Sequence, residues 1–298
     1  MPVREPVVAG QFYPDSAEQC WAEVDLYLSA SPPPAETGQE WLGHPVGGIV
    51  PHAGWMCSGA VAAKVIKLLI DGQDIETCVI FGAMHRLVSS QALLFSSGSW
   101  RMPIGAIEID EVLASAVLNS SSQMVNDPAA HRLEHSIEVQ VPFIQRLCPN
   151  VKLLPIMVPP TTSAFQLGHT VAQQIQEVGR NVVYMGSSDL THYGPGYHFT
   201  PQGIGDEALQ WAKGVNDRRI IDLMIDMCAE KIVDESGKNH NACGSGAIAA
   251  TIAACKTAGA KQAKLIEHTT SVEVLEDRLG KMEDSVGYAG VIFYQPSP

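Results

Sequence analysis

The chain alternates short apolar segments with helical segments, and this alternation limits its possible folds more than any other feature. Four apolar runs predict buried strands, at residues 46–50, 78–82, 151–158 and 181–186. Helical patterns lie in the intervals, at residues 59–70, 136–147 and 163–178. Strands that alternate with helices usually pair in parallel, and helices then cover both faces of the sheet. The sequence therefore predicts an α/β fold with three layers, α/β/α, around a mostly parallel or mixed sheet.

Further elements are predicted outside this alternation. A helix is expected over about residues 16–29, and residues 92–109 alternate in the manner of β-strands. Residues 264–274 and 288–294 also resemble strands, which would form either a hairpin or edge strands of the sheet. The Pro-rich stretch 31–45 is expected to be a surface loop, because the segment before it is too short to fold alone.

Three of the apolar strands run into a histidine. His52 follows the first of them, His85 the second and His192 the fourth. Ligands bind beyond the carboxyl ends of the strands in open α/β sheets. We therefore expect the three histidines to meet across one crevice, far apart in sequence but adjacent in space. The alternative is that each histidine caps a loop and satisfies backbone groups.

Cys243 lies just before the helical stretch 246–258. The N-terminus of a helix stabilises a thiolate through its dipole and its free N–H groups. Such a thiolate would be a metal ligand or a nucleophile, and the alternative is a small cysteine that packs a tight turn.

Residues 244–249 also match G-x-G-x-x-A, with Glu267 about twenty residues further on. The preceding stretch is polar and does not resemble a buried strand, so we interpret these glycines as a tight turn into a helix.

A short segment contains two overlapping patterns. His131, Glu134 and His135 spell H-x-x-E-H, the inverted zinc-protease signature, in which one helix face would carry both histidines. Pro142 falls within the long helix that this site requires and argues against it. In a milder interpretation, His135 and Glu138 place one polar edge at the crevice.

Composition excludes several classes of partner. With 19 basic and 32 acidic residues the formal charge is −13, which repels phosphate backbones and anionic lipids. We expect no nucleic-acid partner and no membrane segment, since no apolar stretch reaches about 18 residues. The seven cysteines are scattered, odd in number and without a CxxC pair, which predicts reduced thiols and a cytoplasmic location. A chain that is 46% hydrophobic can bury a large core, and one domain is expected over residues 1–298.

These motifs together resemble the Memo family, whose bacterial and archaeal members are known as AmmeMemoRadiSam system protein B. The resemblance covers essentially the whole chain and rests on an ordered series of motifs: A-G-Q-F-Y-P near the start, P-H-A-G with His52, G-x-x-H with His85, E-H-S-I-E at 134–138, S-S-D-x-x-H at 187–192, and Cys243. The family usually reads G-P-x-H-H at the second histidine. Here the last position of that motif is Arg86.

The resemblance implies a fold similar to that of class III extradiol dioxygenases, the LigB-like enzymes that hold Fe(II) with two histidines and a glutamate. It implies that His52 and His85 are the histidine ligands, and that Cys243 stands where the carboxylate would be. A thiolate with two imidazoles suits iron or copper, and zinc ranks below both. The resemblance also implies catalytic or wall positions around the metal for Asp189, His192 and His135. Glu138 is expected behind His135, as a further catalytic or wall residue.

Three functional hypotheses follow from these observations. The first is a metal-dependent redox protein or oxidoreductase, in which His192 acts as acid or base and Asp189 orients a neighbour. The second is a metal-free hydrolase or transferase with Cys243 as nucleophile and His192 or His52 as base. The third is a non-catalytic module whose crevice binds a small molecule or a peptide. Trp55 and Tyr13 are expected at the apolar rim of the crevice. The chain could also form oligomers.

Overall fold

Strands and helices alternate along most of the chain in the computed structural model, which describes residues 2–31, 43–86 and 89–296. The strands are β1 (Val3–Arg4), β2 (Gly43–Val50), β3 (Thr77–Gly82), β4 (Ala92–Leu94), β5 (Ser99–Met102), β6 (Gly105–Glu108), β7 (Met124–Asn126), β8 (Lys152–Met157), β9 (Val182–Ser187), β10 (His192–Tyr193), β11 (Gln262–Thr270) and β12 (Ser285–Pro296). The α-helices are α1 (Ala17–Ser29), α2 (Trp55–Ile70), α3 (Glu111–Ser120), α4 (Val141–Leu147), α5 (Ala164–Val178), α6 (Asp206–Trp211), α7 (Arg218–Ile225), α8 (Ala229–Asn239), α9 (Ser245–Thr257) and α10 (Ser271–Leu279).

Nine of the described strands form one mixed sheet, in the order β10-β12-β2-β9-β3-β8-β4-β7, with β11 paired to β12. The centre of this sheet is parallel: β9 lies between β2 and β3, and β3 pairs with β8 on its other side. The long strand β12 is antiparallel to both β2 and β11. Because the central strands are parallel, their carboxyl ends meet at a single edge of the sheet.

Helices cover both faces of the sheet. Helices α1, α2 and α4 pack together on one face, and α3, α5, α8 and α9 pack on the other. This arrangement confirms the predicted three-layer α/β/α fold with a mixed sheet. None of the helices in the described ranges has the length and apolar character needed to cross a membrane.

The predicted core strands and helices are present, with ends shifted by a few residues. The predicted strand at 264–274 is wrong beyond Thr270, because the side chains of Thr270 and Glu273 form a capping box that starts α10. The predicted helix at 136–147 is also partly wrong. Its first half is a 3-10 turn, and α4 begins beside Pro142, a residue that fits only the first turn of a helix.

The C-terminal strands form neither of the two predicted arrangements in full. Strand β11 is an edge strand, but β12 is internal and lies between β11 and β2. Helix α10 connects the two strands, so they are not joined by a tight turn. Most of the predicted surface loop at 31–45 lies outside the described residues, and its last three residues belong to β2.

Candidate metal centre

Three side chains predicted to bind metal come together at the carboxyl edge of the sheet. His52 lies two residues after β2, His85 three residues after β3, and Cys243 two residues before α9. One ligand atom from each, an imidazole nitrogen or the thiol sulfur, lies within 4.8 Å of the other two. These three residues therefore form a group that could hold a metal ion.

The tautomer of His52 is fixed by Ser187, the last residue of β9. The Ser187 hydroxyl donates to the carbonyl of Ser136 at 2.7 Å, so its oxygen accepts a hydrogen bond from His52 Nδ1–H at 2.9 Å. The lone pair of the neutral ring is therefore on Nε2. This atom lies 3.2 Å from His85 Nε2 and 3.2 Å from Cys243 Sγ. Because His52 is almost fully buried, burial lowers its pKa and favours the neutral ring.

The orientation of His85 is fixed by Glu134. Both carboxylate oxygens of Glu134 lie 3.0 Å from His85 Nδ1, and one of them also accepts the His85 backbone N–H at 3.2 Å. A carboxylate only accepts, so Nδ1 carries the hydrogen and Nε2 faces His52. Burial raises the pKa of Glu134, but the hydrogen bond and charge of His85 and the N–H of Ser136 outweigh it and hold the pKa well below its usual range.

Electrostatics favour a thiolate at Cys243. Burial raises the pKa of its thiol, but the neighbouring imidazoles of His52 and His85 outweigh burial and lower the pKa to about 7. The Asp189 N–H also points at the sulfur, at 3.3 Å. For His85, burial lowers the pKa, but hydrogen bonds to Cys243 and Glu134 outweigh it and raise the pKa to about 10. The positive charge therefore resides on His85.

The chemistry of this donor set fits a metal cation. The lone pair of His52 Nε2 faces both His85 Nε2 and the Cys243 thiolate. Electron-pair donors this close repel one another unless a positive charge lies between them. A proton on His85 Nε2 can supply that charge, and a metal ion that replaces the proton can bind all three donors. Metal binding at such a site releases protons, because imidazole and thiol ligands bind in their deprotonated forms.

Asp189 and His192 follow β9, and of the two only Asp189 hydrogen-bonds to residues of this group among the described residues. Asp189 accepts the backbone N–H of His52 at 2.7 Å, and its backbone pairs with that of Cys243 at 3.2 Å. Burial raises the pKa of Asp189, while the charge of His192 opposes this effect. His192 Nδ1 lies 3.1 Å from the carbonyl of Leu190, and its ring meets Tyr197 edge to face. Asp189 thus ties together the segments that carry two of the potential ligands.

His135 also joins the group. Its ring stacks on His85 with centroids 4.7 Å apart and meets His52 edge to face at 5.4 Å. The ring of Phe12 also packs edge to face against the His135 ring, with centroids 4.9 Å apart. The predicted rim residues Trp55 and Tyr13 are instead buried, at 2% and 4% exposure, and stack on each other.

Glu138 is placed differently from the other predicted site residues. Its carboxylate forms an ion pair with Arg4 at 2.8 Å, and both side chains are fully buried. It also accepts the backbone N–H of Val7 and Val8, and the hydroxyl of Tyr13 at 2.7 Å. Its ion pair and hydrogen bonds thus go to the N-terminal segment, and the structure does not bring it together with His52, His85 and Cys243.

The two alternative motifs do not form the structures they require. His131 lies in a 3-10 turn that ends at Leu133, Glu134 is extended, and His135 lies outside any helix, so no helix face carries both histidines. His131 is buried, with Nε2 3.0 Å from the carbonyl of Leu93. The G-x-G-x-x-A stretch follows α8 and a short loop, whereas a dinucleotide fingerprint follows a buried strand.

Two buried residues of a π-helix, Ala212–Asp217, support the site and were not identified from the sequence. Asp217 accepts the N–H of Thr191 at 2.9 Å. Asn216 donates to the Thr191 hydroxyl at 3.1 Å and accepts from the side chain of Asn241 at 2.9 Å. These bonds join the loop that carries Asp189 and His192 to the loop that carries Cys243. No local pattern marks the two residues, since isolated Asn and Asp usually lie on the surface.

The fold and the site define a class of protein: an α/β protein with a potential His/His/Cys metal group at the carboxyl edge of its sheet. The model of the Memo-like protein family matches residues 4–292, and the chain belongs to this family. A MEMO1 family protein of Pyrococcus furiosus is 35% identical over 299 residues, covering 97% of this chain and 98% of the relative. A MEMO1 family protein of Methanothermobacter thermautotrophicus is 34% identical over 293 residues, covering 96% of this chain and 99% of the relative.

The contacts of Glu138 predict a structural effect on mutation. Glu138→Gln leaves the buried charge of Arg4 without its partner, and we expect a loss of about 3–5 kcal/mol in the free energy of unfolding. The control is Glu5→Gln, whose ion pair with Arg101 is about 60% exposed and should contribute about 1 kcal/mol or less. Urea denaturation measures both. Equal stabilities of the two variants would contradict this interpretation of Glu138.

Proposed function

We propose that this protein is a metal-dependent redox protein, an oxidoreductase that holds Fe(II) or copper between His52, His85 and Cys243. One observation carries the proposal: three donor atoms converge within 4.8 Å, while outer hydrogen bonds turn both imidazole Nε2 atoms inward. A bound iron or copper ion would supply one-electron oxidation and reduction, which imidazole and carboxylate groups do not perform.

The donor set supports the choice of metal. Thiolate is a soft ligand and imidazole suits iron, copper and zinc alike, whereas magnesium and calcium prefer oxygen ligands. Zinc would satisfy the same three residues but has no redox chemistry of its own. We therefore place zinc below iron and copper in this proposal.

A relation to class III extradiol dioxygenases is part of the proposal. Its support is the resemblance of the motifs, together with two histidines that follow parallel strands at one sheet edge. Cys243 differs from the carboxylate ligand of those enzymes. A thiolate donates more electron density to the metal, so the chemistry of the two centres is expected to differ.

Neighbouring residues are suited to hold or move protons. A carbonyl only accepts, so His192 Nδ1 carries the hydrogen toward Leu190, and the lone pair on Nε2 can accept a proton from a ligand. Burial lowers the pKa of His135 to about 4, helped by the charge of His85, so this ring is neutral at pH 7 and can accept a hydrogen bond. We assign acid–base roles to these two histidines and a positioning role to Asp189.

The first test measures metal content. Protein purified without added metal, then loaded with Fe(II) or Cu, should retain one ion per chain. His52→Ala and Cys243→Ser should weaken retention by more than the roughly 10–100-fold that loss of an outer hydrogen-bond partner costs. His169→Ala and Cys228→Ser are matched controls outside the group and should retain the ion. Unchanged metal content in His52→Ala and Cys243→Ser would end the proposal.

A second candidate function has its own support. A Cys243 thiolate beside a protonated His85 is also the arrangement of a cysteine nucleophile, and the pKa of Cys243, about 7, allows it at neutral pH. Under this hypothesis the protein is a metal-free hydrolase or transferase.

Alkylation by iodoacetamide separates the two candidates. Because the pKa of Cys243 is lowered, its thiolate dominates above pH 7, and the reaction rate in metal-free protein should rise with a midpoint near pH 7. Fully buried Cys20 is an internal control, since burial and the charge of Glu23 raise its pKa to about 12. If Fe(II) or copper blocks the reaction of Cys243, the metal proposal is supported. If neither ion slows it, the nucleophile hypothesis is preferred. A midpoint near pH 9 would show that the Cys243 thiolate is not stabilised, and this result would contradict both candidate functions.

A further inference from the structure

A cavity of about 570 Å³ lies beside the metal-binding group, between α8 and the start of α9. Cys243 forms part of its wall, next to Ala242 and Ser245. Pro160 and Val233 add apolar surface, and Lys238 adds a positive charge. The cavity is therefore placed to hold a molecule in contact with the same loop that carries a potential metal ligand.

The first turn of α9, whose first residue Ser245 lines the cavity, has unused hydrogen-bond donors. Its N-cap is Gly244, which has no side chain to cap the helix and whose own N–H donates to Ser188 at 2.9 Å. Within the described part of the chain, no acceptor bonds the N–H groups of Ser245, Gly246 and Ala247. Free N–H groups and the helix dipole make such a terminus attractive to an anion.

The side chain of Ser245 is a second, independent sign of a ligand. Ser245 is only 3% exposed and lines the cavity, yet its hydroxyl has no hydrogen-bond partner among the residues that the structure describes. Ser236 lines the same cavity but donates to the carbonyl of Ala242 at 2.8 Å. Most polar side chains of buried residues have a partner, so the Ser245 hydroxyl has an open position that a ligand can fill.

Charges on the cavity wall select the kind of anion. Lys238 and Asp234 both lie on the exposed side of the wall, and neither forms an ion pair with any described residue. Their opposite charges offset each other, and the helix end contributes about half a positive charge. A monoanion is thus better balanced than a dianion such as phosphate. The apolar surface of Pro160 and Val233 favours an organic ligand.

We propose that this cavity binds the carboxylate of a small organic acid. The carboxylate accepts from the first turn of α9 and from the Ser245 hydroxyl, and its apolar part packs on Val233 and Pro160. The claim that such an acid is the substrate of the adjoining redox centre rests on the proposed function. The claim that the cavity binds a carboxylate depends only on the cavity.

Titration of the full-length purified protein with benzoate tests the inference, with neutral benzamide as the matched probe. Calorimetry should detect saturable benzoate binding that benzamide does not reproduce. Ser245→Ala should weaken benzoate binding about fivefold, the effect of one lost hydrogen bond. Lys238→Met should weaken it about threefold, as expected for an exposed charge. Lys231→Met removes another exposed lysine of α8 that does not line the cavity and should have no effect. Asp234→Asn should strengthen binding.

Equal binding of benzoate and benzamide would overturn the inference, and so would equal effects of Lys238→Met and Lys231→Met. Absence of saturable benzoate binding would do the same. Metal content measured on the same samples separates the two proposals. Benzoate binding to protein that retains no iron or copper supports the cavity and removes the redox function. Metal retention without benzoate binding removes the carboxylate site alone.

Discussion

Electrostatic repulsion between three electron-pair donors is the constraint on which the rest of the site depends. His52 Nε2 lies 3.2 Å from both His85 Nε2 and Cys243 Sγ; His52 is buried, Cys243 is half-buried and His85 is exposed. Such groups stay together only around a positive charge. A shared proton or a metal ion meets that need, and the two compete for the same position. The redox proposal and the nucleophile hypothesis are therefore two uses of one arrangement.

The fold holds the donors together through their outer partners. Ser187 ends a central strand and fixes one imidazole, and Glu134 fixes the other from the segment between β7 and α4. Arg4 keeps that segment in place: it donates to the Glu134 carbonyl at 2.5 Å and pairs with Glu138. The N-terminal strand thus supports the site from a distance. Such support matters because loss of an outer partner typically lowers metal affinity about 10–100-fold.

The sequence predicts those parts of the site that local patterns encode. Parallel strands end at one edge, so histidines that directly follow apolar runs could be placed there, and His52 and His85 meet as predicted. The position of Cys243 before a helix predicts a thiolate, and the resemblance to the Memo family places it with the two histidines. The T-x-x-E signal at Thr270 was also available and marks the start of α10, but the strand pattern before it obscured the boundary.

Other features depend on contacts between distant segments and leave no local pattern. Arg4 and Glu138 pair across more than 130 residues, so nothing near Glu138 distinguishes a buried ion pair from a crevice wall. Asn216 and Asp217 are buried because a π-helix turns them toward Thr191. The sheet order has the same origin: β12 is internal because β11 covers it, and a strand's own residues do not reveal its neighbours.

X-ray absorption spectroscopy at the metal edge of protein loaded with iron or copper tests the central claim most directly. One sulfur neighbour is expected at about 2.3 Å and two imidazole nitrogens at about 2.0–2.1 Å, taking the lengths usual for thiolate and imidazole ligands of zinc as a guide. The sulfur should disappear from the spectrum of Cys243→Ser. A bound metal surrounded only by nitrogen and oxygen neighbours in the unmutated protein would contradict the account.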